Sequence, residues 1–189
     1  DLPGGGPQKV GVAVTDLMTG MYSTIAVLAA LTHRDRTGVG QYIDMALLDV
    51  SVAMLANMNM NYLTSGQVPK RWGNAHPNVI PYQVFACSDG HIIVAVGNDS
   101  QFRKFCEVLD SPELGVDPRF TTNSNRIRNR DTLIPLLEPL MQARSRDAWV
   151  DALEAASVPC GPINNIDQVF QNPQVKARGI KIEIPHELA

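Results

Sequence analysis

Leu17, Met21, Ile25, Leu28 and Leu31 recur at three- and four-residue intervals, a period that predicts a helix over about residues 17–33. Thr37-Gly38-Val39-Gly40 stops it, and Gln41-Tyr42-Ile43-Asp44-Met45 alternates as a strand does. A second apolar helix is predicted over residues 46–63. Leu48, Val52, Leu55, Met58 and Met60 leave it with few charges, so it reads as core or subunit interface. Thr64-Ser65-Gly66 ends that helix, and a polar connection punctuated by Gly and Pro follows.

Beyond the connection the period changes to two. Tyr82 to Cys87 and His91 to Val96 are β-rich runs joined by Ser88-Asp89-Gly90, a hairpin signal. Ser100 is the expected cap of a helix over 101–109, with Phe102, Phe105, Cys106 and Leu109 on its buried face. A loop over 114–123 containing Asp117-Pro118 leads to helices over 124–143 and 146–156. Pro135 and Pro139 are expected to kink or split the first. Arg126, Arg128 and Arg130 read as a solvated face. Ser145 is the expected cap of the second helix, with Trp149, Val150 and Leu153 as its buried stripe. Val158-Pro159-Cys160-Gly161-Pro162 reads as a rigid turn, 167–170 and 173–177 as short helical pieces, and 180–184 as a strand.

The fold class expected is α/β in two parts. Residues 1–66 form a portion of a large domain, 67–81 a linker, 82–179 a smaller α+β domain, and 180–189 the start of a return to the large domain.

Composition narrows the function. A hydrophobic content of 44% and a net charge of -3 are ordinary for a globular protein and argue against a nucleic-acid partner. Apolar runs stay well short of about 18 uninterrupted residues, so no membrane span is expected. Cys87, Cys106 and Cys160 are widely spaced without a C-x-x-C pair. That spacing suggests free thiols in a reducing, cytoplasmic compartment and no metal site. Asp1-Leu2-Pro3-Gly4-Gly5-Gly6 reads as a loop rather than a signal peptide.

The leading candidate for chemistry is Asp16. It stands just before the first apolar-periodic segment, where its carboxylate can cap the helix and is favoured by the helix dipole. A plain cap is the simpler reading of an Asp at that place. Asp44 and Asp49 flank the second helix start and read as caps as well. His76 lacks an acidic orienting neighbour and Cys160 an activating base, so both read as structural.

Gly11-Val12-Ala13-x-x-Asp16-x-x-Thr19-Gly20-Met21-Tyr22 and Arg36-Thr37-Gly38-x-Gly40-Gln41-x-Ile43-Asp44 together resemble the class III CoA-transferase family. The similarity runs on through Gly73-Asn74-Ala75-His76-Pro77, Asp89-Gly90, Val96-Gly97-Asn98-Asp99-Ser100-Gln101-Phe102 and Val158-Pro159-Cys160-Gly161-Pro162-Ile163-Asn164. The family includes formyl-CoA, carnitine-CoA and dicarboxylate CoA-transferases and 2-methylacyl-CoA racemases.

The resemblance implies that Asp16 is the catalytic carboxylate and that Gly73 and Asn74 offer donors near the substrate. In formyl-CoA transferases a glycine-rich loop covers the site at the comparable place; an interdomain turn is the equally weighted alternative here. It further implies a CoA thioester as substrate, no prosthetic group, a carboxylic acid as the second substrate, and an interlocked homodimer. Relatives are about twice as long, so the chain is expected to be a fragment, inactive alone. The rivals are a racemase, with a second acidic group near Asp99, and a non-catalytic CoA-binding or assembly module.

Overall fold

The computed structural model describes residues 3–185. The chain divides into two compact units, Asp1–Gly73 and Asn74–Ala189.

The first unit is helical. Helix α1 (Val14–Thr37) closes on Gly38, whose left-handed φ of 74° lets its N–H reach Arg34 O, an ending that glycine adopts without steric cost. Helices α2 (Leu47–Met54) and α3 (Ala56–Ser65) follow, and Gly66 caps α3 in the same manner. The single apolar helix expected over 46–63 is therefore broken. Leu55 ends α2, and Ala56 takes a positive φ of 43°. Gln41 to Met45 alternates in sequence but forms no strand, because alternation makes a ladder only against a partner strand. The same holds for 180–184.

Among the described residues of this unit Val50 is the buried hydrophobic, while Leu17, Met21, Ile25 and Leu28 on α1 are each more than half exposed. Averaged over an 18-residue window α1 reaches a mean hydropathy of 1.4, so by length and composition it meets the requirement for a membrane span. Counting only uninterrupted apolar runs missed this. Length and composition are also met by helices that pack on apolar protein.

The second unit holds an antiparallel three-stranded sheet in the order β1-β2-β3, made of β1 (Tyr82–Ala86), β2 (His91–Ala95) and β3 (Cys160–Pro162). Phe85 pairs with Ile92 and Val94 with Cys160. The expected hairpin is present, and the expected rigid turn at 158–162 is instead its third strand. Gly and Pro disguised it; a proline lacks the ladder N–H and is tolerated on an edge strand such as this.

Helix α4 (Asp99–Val108) buries Phe102, Phe105 and Cys106. Its cap is Asn98, whose side chain accepts from Gln101 N, and Ser100 donates to Asn98 Oδ1 instead of capping. Part of the expected loop is the short helix α5 (Pro112–Val116). The helix expected over 124–143 is split into α6 (Asn123–Arg128) and α7 (Arg130–Met141). The break falls at Asn129, not at the prolines. Pro135 and Pro139 sit on the exposed face of α7, where water can satisfy the carbonyls they leave unpaired. Leu133, Leu137 and Met141 line the buried face.

Helix α8 (Arg146–Ala155) is capped by Ser145 as expected, and its Trp149 Nε1 donates to Met141 O at 2.7 Å. Short helices α9 (Ile166–Gln171) and α10 (Pro173–Ala177) are the last helices among the described residues. The core of this unit joins Phe85, Ile92, Val94, Phe102, Phe105, Phe120, Leu137 and Trp149.

Candidate functional site

Asp16 lies in the first turn of α1, not at its cap. Ala13 holds the cap position without a side-chain bond, and Leu17 N makes the first intrahelical bond to Ala13 O at 3.0 Å. The helix starts earlier than the apolar period suggests because Val14 and Thr15 complete its first turn. Asp16 is exposed. Its carboxylate stands at the N-terminal end of a helix of 24 residues, beside the unsatisfied N–H groups of the first turn. Lys9, Val10, Val12, Ala13, Val14, Thr15 and Asp16 line a cavity of about 300 Å³.

Thr15, next to the carboxylate, is turned to the neighbouring helix. Its hydroxyl accepts from Ser51 Oγ on α2 at 3.3 Å, and its carbonyl accepts from Thr19 Oγ1 at 2.7 Å. The Ser51 bond ties the first turn to α2, and the same hydroxyl donates to Leu47 O at 2.8 Å. The arrangement offers an accessible anionic nucleophile on a braced helix start. Asp49 lies in the first turn of α2, and Asp44 precedes that helix in an irregular stretch; neither forms a side-chain cap.

Gly73 takes a positive φ of 63°. Asn74 is exposed, and its Oδ1 accepts from Val84 N at 3.1 Å. With the oxygen committed to the sheet, the group that Asn74 can offer a substrate is its amide NH2. His76 is structural. Its N–H donates to Tyr82 O at 2.8 Å, its Nδ1 accepts from Asn78 N at 3.0 Å, and its ring stacks on Tyr82. Burial and, secondarily, the Arg130 charge hold the imidazole below its usual range.

The expected solvated arginine face is overturned at two of its three positions. Arg126 is fully buried. Its Nε donates to Ile80 O at 2.6 Å, Nη1 to Phe120 O at 2.9 Å and Nη2 to Asp99 Oδ1 at 2.9 Å, while the guanidinium covers the Phe102 ring. Burial pulls its pKa down, opposed by the hydrogen bond and charge of Asp99. Arg130 is half-buried and donates from Nη2 to His76 O at 2.6 Å and Pro77 O at 3.1 Å. Arg128, on the opposite side, is exposed.

The signal that would have found them is spacing. Asn123, Arg126 and Arg130 stand at i, i+3 and i+7, one helical face turned inward. Asp99, the candidate second acid, also accepts from Asn123 N at 2.9 Å through the Oδ1 that Arg126 holds. Cys160 is half-buried with its thiol directed at Val150 O, and burial raises its pKa. Among the described residues no cluster of three or more His, Cys, Asp or Glu side chains could hold a metal ion.

Residues 2–188 match CoA-transferase family III. The chain is 47% identical over 185 residues to a succinate–glutarate CoA-transferase of Agrobacterium fabrum, covering 98% of this chain and 46% of that protein. It is 42% identical to the human succinyl-CoA:glutarate CoA-transferase, covering 96% of this chain and 42% of that protein. Among solved structures, a CAIB/BAIF family protein from Brucella suis superposes with a TM-score of 0.75 at 53% identity, over 95% of this chain and 48% of that one. A Mycobacterium tuberculosis protein at 27% identity gives 0.83 over 97% and 48%. The chain spans less than half the length of the curated relatives named here.

Proposed function

The chain belongs to CoA-transferase family III, and from that premise we propose that it supplies the nucleophilic carboxylate, Asp16, of an enzyme moving CoA from an acyl-CoA to a carboxylic acid. One observation carries the residue assignment: an exposed carboxylate in the first turn of a long helix, beside a cavity, with the turn braced by Thr15, Thr19 and Ser51.

Asp16 attacks the thioester carbonyl; the C–S bond breaks, giving an aspartyl–acyl anhydride and CoA thiolate. The thiolate attacks the aspartyl carbonyl, releasing the donor acid as a carboxylate and leaving an aspartyl-CoA thioester. An acceptor carboxylate then attacks that thioester, forming a second anhydride and thiolate. Attack of the thiolate on the acceptor's acyl carbon yields the new acyl-CoA and restores Asp16. Each step exchanges one acyl bond for another without net proton uptake. The developing oxyanions need donors, and Gly73 and Asn74 are proposed as substrate-binding residues. Coenzyme A enters as a substrate thioester, and no prosthetic group is required by this route.

Dicarboxylates are the proposed acids and succinyl-CoA the proposed donor, on the strength of the relatives named for succinate, glutarate and succinyl-CoA. The racemase reading is weakened by Asp99, whose Oδ1 is engaged by a buried guanidinium and a backbone N–H. We further propose a homodimer in the cytoplasm, the first unit contributing to a large CoA-binding domain and the second forming a small domain. The free thiols of Cys87, Cys106 and Cys160 agree with a reducing compartment. The 189-residue chain alone is expected to be inactive.

The test is incubation of the full-length protein with succinyl-CoA, then digestion and mass spectrometry. A CoA adduct on the Asp16 peptide, absent from Asp16→Ala, supports the route. Turnover by Asp16→Ala at the wild-type rate overturns it.

A further inference from the structure

In the second unit, residues 76–80 run as an irregular segment whose backbone carbonyls are taken up by one helical face. Arg130 Nη2 donates to His76 O and Pro77 O, Asn123 Nδ2 to Asn78 O at 2.8 Å, and Arg126 Nε to Ile80 O. Asn123 also accepts from Ile80 N at 3.1 Å. Four of five consecutive carbonyls thus end on side chains at i, i+3 and i+7 of α6 and α7. Both ends are tied as well, by Asn74 Oδ1 to Val84 N and by Val96 N to Pro81 O.

Irregular backbone held only by water opens with almost no cost, whereas segments whose polar groups are bonded to buried side chains open only with their neighbours. The Arg126 and Arg130 donors are charged, which strengthens their three bonds, and Arg126 is anchored from behind by Asp99 and Phe120. A segment that closes over substrate and reopens must exchange its carbonyl partners for water on each cycle. This one has no such freedom while the arginines are in place.

We propose that Asn123, Arg126 and Arg130 are positioning residues that hold the segment beginning at Asn74, a substrate-contacting segment of the second unit, in one conformation, so that it works without lid motion. The proposal rests on the reading of Gly73 and Asn74 as substrate-contacting. Arg130 is the member whose role can be separated from folding, because it is half-buried and lies at the first residue of α7, whereas Arg126 is fully buried.

The experiment is amide hydrogen exchange on the full-length protein, with and without succinyl-CoA, for wild type, Arg130→Lys and Arg130→Met. In the wild type the amides of His76, Asn78, Ile80 and Val84 are expected to exchange slowly, with less than about a twofold change on adding succinyl-CoA. Arg130→Met is expected to speed exchange at His76 and Asn78 by about tenfold or more while leaving Phe105 and Leu137 unchanged. Arg130→Lys, which keeps the charge but not the fork, should fall between. Steady-state rates should show KM for the acyl-CoA rising several-fold in Arg130→Met, with a smaller change in kcat.

Fast wild-type exchange at these amides that slows on binding succinyl-CoA would establish a lid and overturn the proposal. So would unchanged exchange in Arg130→Met. Slow exchange insensitive to ligand, with full turnover by Asp16→Ala, would instead remove the aspartyl route and leave the bracing intact.

Discussion

The guanidinium of Arg126 lies 2.9 Å from Asp99 Oδ1, yet the two residues live in different surroundings: Arg126 is fully buried and the Asp99 side chain is 44% exposed. The pair is therefore unequal. Asp99 can turn to water if its partner is lost; the carbonyls of Ile80 and Phe120, inside the core, cannot. Replacing Arg126 by Met should cost about 3 kcal/mol or more, since each stranded buried acceptor costs about 1–3 kcal/mol. Asp99→Asn keeps an acceptor oxygen at the same place and strands no buried carbonyl, so it should cost less than Arg126→Met, although the buried guanidinium loses its anionic partner. Urea midpoints of the two variants against wild type test the asymmetry, and equal losses would contradict it.

Asp16 behaves oppositely. It makes no side-chain cap bond and is exposed, so its fold contribution is limited to the dipole interaction, about 0.3–1 kcal/mol. Asp16→Asn in the full-length protein should therefore leave the thermal midpoint nearly unchanged while lowering transferase kcat by more than about a thousandfold, as loss of a covalent nucleophile does. A large drop in both would mark the residue as structural.

The contrast between these two residues shows what periodicity could and could not deliver. Apolar spacing located the hairpin and the buried faces of α4 and α8, because burial of those faces is the same physics that sets the pattern; it also located α1, whose apolar stripe is exposed. It failed where a local pattern depends on a distant partner. Gln41 to Met45 alternates without a partner strand, whereas Cys160-Gly161-Pro162 has poor strand residues and is recruited by the edge of β2. The arginine run failed for a related reason. Charge predicts solvent unless enough acceptors converge, and those facing Arg126 come from Ile80, Asp99 and Phe120, which lie far apart in sequence. For the candidate site, the proposal of Asp16 rests on a family motif, while the side-chain bonds to the carbonyls of residues 76–80 leave no mark in that motif.

Thiol chemistry gives a third expectation. Burial pushes the Cys106 pKa up to about 12, with Arg126 opposing it only in part. At pH 8 its thiolate population is then about a thousandth of that of an ordinary thiol near 9. Under native conditions Cys106 should resist a maleimide or disulfide reagent and react only on unfolding in urea. Rapid native labelling of Cys106, mapped by peptide mass spectrometry, would show that the α4 face opens.

A fourth concerns acid. Burial and the nearby Arg130 charge hold the His76 imidazole below its ordinary value of 6.5, so the folded state binds a proton there less readily than the unfolded chain does. Between the lowered folded value and 6.5 the unfolded state carries more protons, and stability rises with pH. The contribution is complete above pH 6.5 and is lost as pH falls through that window. The same proton would occupy Nδ1, which accepts from Asn78 N, and would place a cation beside Arg130. Stability should therefore decline from pH 7.5 to 5.5 more steeply in wild type than in His76→Asn, whose carboxamide oxygen can still accept the Asn78 bond but does not titrate. Urea midpoints across that range check the sign. A variant with the same pH slope as wild type would move the acid sensitivity to other groups.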